Sequence, residues 1–303
     1  MPRICAIVLN YFGSHDTEAC VDSLATAPVD TLYVVDNSAD EEETRKVRAL
    51  ITGFAGGHPV PRLELLASPR NLGFSRGVNS AVHADLRSGG HDYYLLMNND
   101  ARATPGMVAQ LVRRIDSEPG CLAVSPRVRA SDGSERGMVW YHRYLGCQCQ
   151  RRYALSFPVV SGCCLLLSRA AIQDGMLLDE RFFMYGEDVA LCWRIHCSGG
   201  RVLIDDDAHV LHEGSQTSRY GSLFYEYHVA RGHVLLAMTT WTSPLEVPLM
   251  LATRFLSLLA RALLRAVRLR RLAPLAAFGL AWLPLDASAV SPPAPAAGTP
   301  SAR

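Results

Sequence analysis

The sequence has no excess of either charge and no recognisable leader segment. Its 303 residues include 30 lysines and arginines against 29 aspartates and glutamates, which leaves a formal net charge of +1. A near-neutral chain gives no basis for a general nucleic-acid surface, so no nucleic-acid partner is expected. The apolar run at residues 4–9 is not followed by a cleavage pattern, and we interpret it as a first strand and not as a signal peptide.

The sequence also lacks the cysteine spacing of a disulfide framework or a zinc knuckle. Its nine cysteines are an odd number and are scattered along the chain. The closest groups, Cys147-Gln148-Cys149 and Cys163-Cys164, do not have zinc-ligand spacing. Several cysteines occupy apolar positions in predicted strands or helices, as reduced core cysteines do. The pattern indicates a reducing, cytoplasmic compartment.

What the sequence does contain is a regular alternation of strand and helix patterns. This alternation predicts an α/β domain with a parallel sheet that helices cover on both faces. The predicted strands are 4–9, 31–35, 63–66, 93–97, 121–125, 158–167 and 201–204. The predicted helices are 16–25, 41–51, 73–87, one that Thr104-Pro105 opens and that continues to Ile115, and one that begins at Gly186. The irregular stretch 127–153 is a candidate acceptor-binding insertion.

Three predicted strands end in carboxamides or carboxylates. Asn10 follows the first strand, Asp36 the second and Asn98-Asn99-Asp100 the fourth. In a parallel α/β sheet, ligands bind beyond the carboxyl ends of the strands, so these side chains indicate one shared site. A carboxylate flanked by carboxamides suits a divalent cation that keeps open positions for phosphate oxygens. The alternative for each strand end is an Asx turn without a ligand.

Two further groups are candidates for the same site. Asn71 precedes a glycine that opens the third helix, where backbone amides and Arg76 could meet a diphosphate. His212 follows a strand-like run and could ligate a metal ion as a neutral imidazole. His209 is the competing histidine, on the opposite face from Val210.

A pair of acids, Glu187 and Asp188, opens the helix that begins at Gly186. Acids in a first turn favour the positive end of a helix, which is the simplest interpretation. The helical wheel turns Asp188 towards apolar neighbours and places Glu187, Ala190 and Arg194 on the solvent side. An unpaired carboxylate among apolar groups is costly, so Asp188 needs a metal, a bound hydroxyl or an arginine as a partner. The helix terminus lowers its pKa and burial raises it, and the sequence leaves that balance open.

The C-terminal third is almost wholly apolar apart from its arginines. Arg254, Arg261, Arg265 and Arg268 form one stripe on a helix within residues 244–272, and a second apolar piece covers 274–285. This predicts an interfacial helix that associates with a membrane surface. Its apolar face would contact the membrane, and its cationic stripe would form the outer face. Recurring arginines make it a poor transmembrane span. The alternative is a helix packed on the domain with its arginines solvated.

Taken together, these motifs resemble one known family, the inverting nucleotide-sugar glycosyltransferases of family two. The resemblance covers residues 4 to about 236, in the family's order and spacing, and is strongest to the bacterial rhamnosyltransferase-like branch. It is carried by 7–11, 34–38, 71–74, 95–100, 161–163, 179–183 and 186–188, followed by His212 and Arg231. It implies an α/β GT-A (nucleotide-diphospho-sugar transferase) fold, with a mostly parallel mixed sheet flanked by helices and an amphipathic helical appendage at the C-terminus.

The resemblance also assigns roles to the candidate residues. Asp188, beside Glu187 in the catalytic pair, is the implied general base that deprotonates the acceptor hydroxyl. Asp100 and His212 are the implied ligands of a divalent cation, Mg²⁺ or Mn²⁺. The implied donor-binding residues are Asn10, Asp36, Asn71, Arg76, Asn98 and Asn99. The chain departs from the family pattern in three places: Asn98 stands in place of the first metal-motif acid, Ala190 stands in place of a second acid after the base, and the segment 175–180 is one residue longer than the family's and lacks its phenylalanine.

The implied function is metal-dependent inverting transfer of a sugar from a nucleotide-sugar donor, most simply rhamnose from dTDP-rhamnose. The acceptor would be a lipid-linked or polysaccharide glycan of the bacterial cell surface, at the cytoplasmic face of the membrane. The alternatives are a galactofuranosyl or other hexosyl transferase, a nucleotidyltransferase of similar fold, and a non-catalytic carbohydrate-binding protein. The predicted organisation is a catalytic domain at 1–240, a membrane-associating helical segment at 241–285 and a disordered tail at 286–303.

Overall fold

The computed structural model describes residues 2–54, 62–212 and 220–283, and it contains twelve strands and eight α-helices in those ranges. The strands are β1 (Ile4–Asn10), β2 (Thr31–Asp36), β3 (Arg62–Ala67), β4 (Tyr93–Asn98), β5 (Ala101–Ala103), β6 (Cys121–Ala130), β7 (Glu135–Arg136), β8 (Val139–His142), β9 (Cys147–Cys149), β10 (Ser156–Val159), β11 (Cys164–Ser168) and β12 (Arg201–His212). The helices are α1 (Ser14–Ser23), α2 (Glu41–Phe54), α3 (Gly73–Arg87), α4 (Met107–Ser117), α5 (Glu187–Cys197), α6 (Leu223–Ala237), α7 (Val247–Leu269) and α8 (Ala273–Leu280).

A nine-stranded mixed sheet lies at the centre of the molecule. Its strand order is β3-β2-β1-β4-β11-β6-β12-β5, and β7 pairs with β6. The first four strands run parallel to one another, whereas β11 lies antiparallel between β4 and β6. The predicted α/β class and the predicted first four strands are confirmed, with strand ends that differ by one residue.

The central strand β1 shows why the sheet is covered on both faces. Its apolar side chains alternate between two separate cores, with Cys5 and Ile7 in one and Ile4, Ala6 and Val8 in the other. Helix α3 contributes to the first core, and helices α1 and α4 contribute to the second. A strand that is buried on both faces reads as a continuous apolar run, which is the pattern of residues 4–9.

The predicted strand 158–167 is wrong, because the structure divides this run into two strands. Strand β10 pairs with β8 in a separate three-stranded sheet, whereas β11 pairs with β4 in the main sheet. The chain leaves one sheet and enters the other through the segment 160–163, which contains Gly162. A continuous apolar run does not show where a strand changes sheets, since both halves are buried.

Two other segments carry more structure than the sequence predicted. The irregular stretch 127–153 contains the end of β6 and the short strands β7, β8 and β9. Strand β12 is longer than the predicted 201–204 and continues, through an irregularity between Asp205 and His209, as far as His212. Helix α6 was not predicted, because it is buried on most sides and therefore has little amphipathic periodicity.

The arginine stripe of α7 faces the protein, so the predicted cationic outer face is wrong. Arg254 is fully buried and donates through Nη2 to the carbonyl of Arg143 at 2.8 Å. Arg261 and Arg265 both pair with the fully buried carboxylate of Glu226 on α6, and the Arg261 Nη1 to Oε2 distance is 3.0 Å. The alternative of solvated arginines is therefore wrong for these three side chains. Of the stripe, only Arg268 is exposed.

The outward face of α7 is instead apolar, and we call it the apolar face. Its exposed side chains are Leu249, Phe255, Leu256, Leu263, Leu264 and Val267. By length and composition alone, the helical segment Pro244–Leu269 is able to cross a membrane. Its inner side packs with α6 and α8 in a small core that includes Val234, Leu258 and Ala281. The predicted tail at 286–303 lies outside the described residues.

We predict that Glu226→Gln destabilises the fold through the contact between α6 and α7. The substitution leaves two arginines facing a buried site without their counter-charge, and removing one partner of a buried ion pair costs about 3 kcal/mol or more. Urea unfolding followed by circular dichroism measures the change. Arg268→Gln is the matched control, since it removes an exposed charge of the same helix. Equal stability of both variants would contradict the proposed importance of this contact.

Candidate functional site

The polar strand ends that the sequence singled out lie side by side. Asn10 at the end of β1 is opposite Asp36 at the end of β2, and Leu9 of β1 is opposite Asn98 at the end of β4. The three strands run parallel, so their carboxyl ends share one edge of the sheet. The predicted convergence of these residues is confirmed.

Asn10 and Asp36 lie below the surface of this edge. Both are fully buried, and the Asn10 amide donates to Asp36 Oδ1 at 3.1 Å. The Thr44 hydroxyl donates to Asp36 Oδ2 at 2.5 Å, and the Ser38 backbone N–H donates to Asp36 Oδ1 at 3.1 Å. Both carboxylate oxygens of Asp36 are thus already satisfied by the protein. These bonds fix the loops after β1 and β2, and a direct contact of Asn10 or Asp36 with a donor stays a prediction.

The loop before α3 is held by a pair of asparagines. The Asn37 side chain donates to the carbonyl of Gly73 at 2.9 Å and to Asn71 Oδ1 at 3.2 Å, and it accepts from the Leu72 N–H. Gly73 has a positive φ of 77°, and a Cβ there would lie 2.5 Å from the carbonyl oxygen of Phe183. Asn37 was not among the predicted donor residues, although it directly follows Asp36 and is part of the same polar strand end.

Asn98 and Asn99 lie half-buried at the end of β4. The Asn99 amide donates to the Gly13 carbonyl at 3.4 Å and to the Thr17 hydroxyl at 3.3 Å, which ties it to the start of α1. The backbone N–H of Asn98 donates to the Cys163 carbonyl at 2.8 Å. Within the described ranges, the Asn98 side chain makes no hydrogen bond of its own. Its amide is therefore available to a ligand at this edge.

Asp100 and His212 form the pair that fits a cation. Strand β5 pairs with the end of β12, with Ala101 opposite His212, and this brings His212 Nε2 to 3.2 Å from Asp100 Oδ1. At this distance the two groups are close but do not meet hydrogen-bond geometry: in the described part of the chain, His212 Nε2 and Asp100 Oδ2 are buried atoms without a hydrogen bond. Buried polar atoms without partners are costly, and a divalent cation satisfies a carboxylate oxygen and an imidazole nitrogen together. The predicted proximity is confirmed.

Asp188 lies in the first turn of α5, after Gly186 in a left-handed conformation. Its Oδ1 accepts from the Val189 N–H at 2.8 Å, and its Oδ2 accepts from the Gly162 N–H at 3.3 Å. Burial raises the pKa of Asp188, and these backbone donors oppose the rise without cancelling it. Burial therefore outweighs the helix terminus, which favours proton acceptance by this carboxylate.

Glu187 and Ala190 do not lie on a solvent side, so that prediction is wrong. Ala190 is buried, and Glu187 Oε2 is a buried atom without a hydrogen-bond partner in the described ranges. Burial first, and then the neighbouring Asp188 charge, raise the pKa of Glu187 to about 8. Burial therefore favours the protonated form of Glu187 more than in an isolated glutamate. Helix α6 covers α5 on this side: a Cβ at Gly232 would lie 2.2 Å from the Tyr185 carbonyl oxygen.

The segment 161–163 connects Asp188 to the cation pair. Gly162 contacts Asp188 directly, with only 3.2 Å between an added Cβ at Gly162 and Asp188 Cβ. The next residue, Cys163, accepts the backbone hydrogen bond of Asn98, two residues before Asp100. The segment therefore crosses the carboxyl end of β4 and places the base and the cation pair along one edge. Sequence reasoning missed the Gly162 contact, whose only signal is a glycine inside an apolar run.

The chain matches the protein family described as "Glycosyltransferase like family 2" over residues 2–227.

The chain belongs to this family.

A curated relative supports the same assignment. It is the N-acetylglucosaminyl-diphospho-decaprenol L-rhamnosyltransferase of Mycobacterium tuberculosis, which is 28% identical over 286 residues and is aligned over 82% of this chain and 90% of its own. Family membership makes the chain a glycosyltransferase, and the nucleotidyltransferase alternative is therefore set aside.

Solved structures show the same GT-A fold. The mannosyltransferase PcManGT from Pyrobaculum calidifontis, in complex with GDP-Man and Mn²⁺, aligns over 92% of this chain and 86% of its own, with a TM-score of 0.58 and 16% identity. GalNAc-T7 with UDP, GalNAc and Mn²⁺ aligns over 80% of this chain and 49% of its own, with a TM-score of 0.60 and 14% identity. The predicted fold is confirmed.

A cavity of about 230 Å³ adjoins the loop before α3 in this family-two glycosyltransferase. We call it the arginine pocket, since its lining includes Arg70, Arg76, Arg181 and Arg231. Asn71 lies at its edge and also contacts the Tyr11 hydroxyl, so it joins the pocket to the loop after β1. Arg76 lies 3.5 Å from Glu180, which is another residue of the lining.

A second group of metal-ligating residue types lies elsewhere. Cys5, Asp85 and His91 are close enough for a metal ion, but Cys5 is near the start of β1, at the opposite end from the cation pair. Asp85 Oδ1 lies in a hydrogen bond with His91 Nδ1 at 2.6 Å. Asp85 Oδ2 accepts hydrogen bonds from the Tyr94 hydroxyl at 2.8 Å and from the His91 backbone N–H at 3.0 Å. The group is a satisfied hydrogen-bond network, in contrast to Asp100 and His212.

We predict that Asp100→Asn and His212→Gln each weaken Mn²⁺ binding about tenfold or more, because each removes one ligand of the cation pair. Titration of the protein with Mn²⁺, followed by electron paramagnetic resonance, measures this without a substrate. His209→Gln is the matched control, since His209 lies on the same strand but contacts the Asp207 carbonyl at 3.1 Å. Unchanged Mn²⁺ affinity in both variants would show that the pair holds no metal.

Proposed function

We propose that this chain transfers a sugar with inversion from a nucleotide-sugar donor to a hydroxyl of a lipid-linked acceptor. One observation carries the proposal: the segment 161–163 places the raised-pKa carboxylate of Asp188 and the unpartnered Asp100–His212 pair along one edge of the sheet. A base and a cation site are the two parts that an in-line displacement of a nucleoside diphosphate requires.

In the proposed reaction, the cation and the two acids of α5 have different roles. When bound, the cation neutralises the charge that develops on the leaving nucleoside diphosphate. Asp188 accepts the proton of the acceptor hydroxyl, while the Gly162 and Val189 N–H groups hold its carboxylate in position. The raised pKa of Glu187 favours its neutral form, which limits the negative charge beside Asp188.

The donor is held by residues at the surface of the same edge. We assign Asn98, Asn99 and Asn71 to direct donor contacts, since all three are half-buried beside the cation pair or the loop after β1. Asn10 and Asp36 are buried beneath these residues, and they fix the loops that follow β1 and β2. The guanidinium of Arg76 lies beyond Asn71, in the arginine pocket.

The substrates are proposed from the similarity to the mycobacterial relative. That protein is named as a rhamnosyltransferase acting on N-acetylglucosaminyl-diphospho-decaprenol. For this chain we propose rhamnose from dTDP-rhamnose as the donor sugar and a sugar linked through diphosphate to a polyprenol as the acceptor, in the synthesis of a cell-surface glycan. A galactofuranosyl or other hexosyl donor is the second candidate.

We further propose that the protein associates with the cytoplasmic membrane face through the apolar face of α7. The three inward arginines hold this helix along the domain, so we favour a helix that lies in the interface over one that spans the bilayer. A lipid-linked acceptor also confines the reaction to a membrane surface.

We predict that Asp188→Asn lowers kcat about 10²- to 10⁴-fold, because it removes the proton acceptor. Transfer is measured by mass spectrometry of the product from a panel of dTDP-, UDP- and GDP-sugars with Mn²⁺ and a prenyl-diphosphate-linked N-acetylglucosamine. The exposed Asp22→Asn is the control and is expected to retain full turnover. Normal turnover by Asp188→Asn would remove the base assignment, and absence of product from every donor would contradict the proposed function.

We predict that the pair of substitutions Leu256→Ser and Leu264→Ser weakens binding to anionic lipid vesicles about tenfold or more, because both side chains are exposed on the apolar face. Flotation of the protein with vesicles measures the bound fraction. Leu211→Ser is the control, since Leu211 is an exposed leucine of β12. If the double variant floats as well as the control, the apolar face does not contact the membrane.

A further inference from the structure

We propose that the arginine pocket binds the diphosphate linker of the lipid-linked acceptor. The inference rests on the proposed function and deepens it, since it names the part of the acceptor that the chain recognises. Transfer from a nucleoside-diphosphate sugar to a diphosphate-linked lipid brings two diphosphates to one enzyme. The Asp100–His212 pair accounts for one of them, through its cation, and the second needs a cationic site of its own.

The charge of the pocket suits a diphosphate. Four guanidinium groups line it, from Arg70, Arg76, Arg181 and Arg231, against two carboxylates: Glu180 in the lining, and Asp179, which pairs with Arg181 at 2.6 Å. Glu180 lies 3.5 Å from Arg76, while the Arg70 side chain makes no ion pair or hydrogen bond within the described part of the chain. An excess of guanidinium groups that converge on one cavity is the arrangement that recognises phosphate oxygens in pairs.

The size of the pocket favours a compact anion over a complete nucleotide sugar. Its volume of about 230 Å³ is below the roughly 300–1,000 Å³ of most small-molecule sites. The nucleotide already has a proposed place at the carboxyl edge of the sheet, where Asn98 and the cation pair lie, and Asn71 borders both that edge and the pocket. A diphosphate with the first atoms of its two substituents is a better match to this volume.

One wall of the arginine pocket is formed by the segment that leads into α5, the helix of the proposed base. Phe183 and Met184 line it, and the same segment continues into α5, whose first turn carries Asp188. Gly232, on the opposite wall, packs directly against the Tyr185 carbonyl, so α6 and the start of α5 form one continuous surface. A diphosphate in the pocket therefore lies on the side of the domain where α5 begins.

The pocket also has an apolar side that leads to the C-terminal helices. Leu72, Phe183, Met184 and Leu235 provide apolar lining beside the arginines. Arg231 extends from the pocket to α8, where its Nη1 donates to the Ala281 carbonyl at 3.0 Å. Helix α8 packs against α7, which carries the apolar face. A prenyl chain that leaves the pocket on this side reaches the surface that we assign to the membrane.

The first test compares substrates in the kinetics of transfer. The double variant Arg70→Gln and Arg181→Gln removes two exposed guanidinium groups that no step of the reaction uses. We expect its acceptor KM to rise about tenfold or more and its donor KM to stay within about twofold. With an acceptor that has an alkyl chain in place of the prenyl diphosphate, variant and wild type should have the same KM. The exposed Arg113→Gln on α4 is the matched control and should behave as wild type.

The second test measures binding directly and needs no turnover. Farnesyl diphosphate is titrated into the full-length protein by calorimetry, with and without dTDP and Mg²⁺, and farnesol serves as the uncharged probe. We expect farnesyl diphosphate to bind in both conditions, and the double variant to lose about tenfold or more in affinity. Farnesol should bind equally to both proteins.

The outcomes separate this inference from the proposed function. If the donor KM rises and the acceptor KM does not, the pocket serves the donor and the inference is wrong. If farnesyl diphosphate binds wild type and double variant equally, the arginines do not recognise a diphosphate. If no sugar is transferred but the double variant alone loses farnesyl diphosphate, the proposed donor is wrong and the pocket assignment stands.

Discussion

The candidate site depends on the register of three parallel strands and on one antiparallel strand beside them. Because β2, β1 and β4 end at the same level, Asp36, Asn10 and Asn98 meet at one edge. Because β11 runs back along β4, the segment before it crosses that edge and carries the Gly162 N–H to Asp188. A shift of one residue in either pairing would turn these side chains to the other face of the sheet.

Buried charge in this molecule serves mainly to position other groups. The carboxylate of Asp36 is fully satisfied by protein donors and fixes two loops. Glu226 forms ion pairs with two arginines of α7, which hold this helix against the catalytic domain. Asp100, His212 and Glu187, by contrast, each have a buried side-chain atom without a hydrogen-bond partner in the described ranges. Arg254 of α7 also has such atoms, so an unsatisfied group marks a site only where other candidate residues converge on it.

The orientation of α7 shows that a helical wheel predicts which side chains share a face but not whether that face is buried. The wheel correctly placed the arginines in one stripe, but it assigned that stripe to solvent. In the structure, Arg254, Arg261 and Arg265 point inward, because Glu226 and the Arg143 carbonyl lie opposite them. A wheel gives relative angles within one helix, and only the packing partner decides which side faces it. The same limit explains why Glu187 and Ala190 were wrongly placed on a solvent side.

The sequence by itself determined the α/β class, most of the elements and the convergence of Asn10, Asp36 and Asp100, since strand alternation and polar strand ends are local patterns. It also carried the motifs through which the family resemblance was found, and that resemblance indicated Asp188 and His212. Tertiary structure alone decided that Asn10 and Asp36 are buried, that the run 158–167 changes sheets and that four arginines line one pocket. These features join residues far apart in the chain, and no local pattern records which distant side chain satisfies a charge.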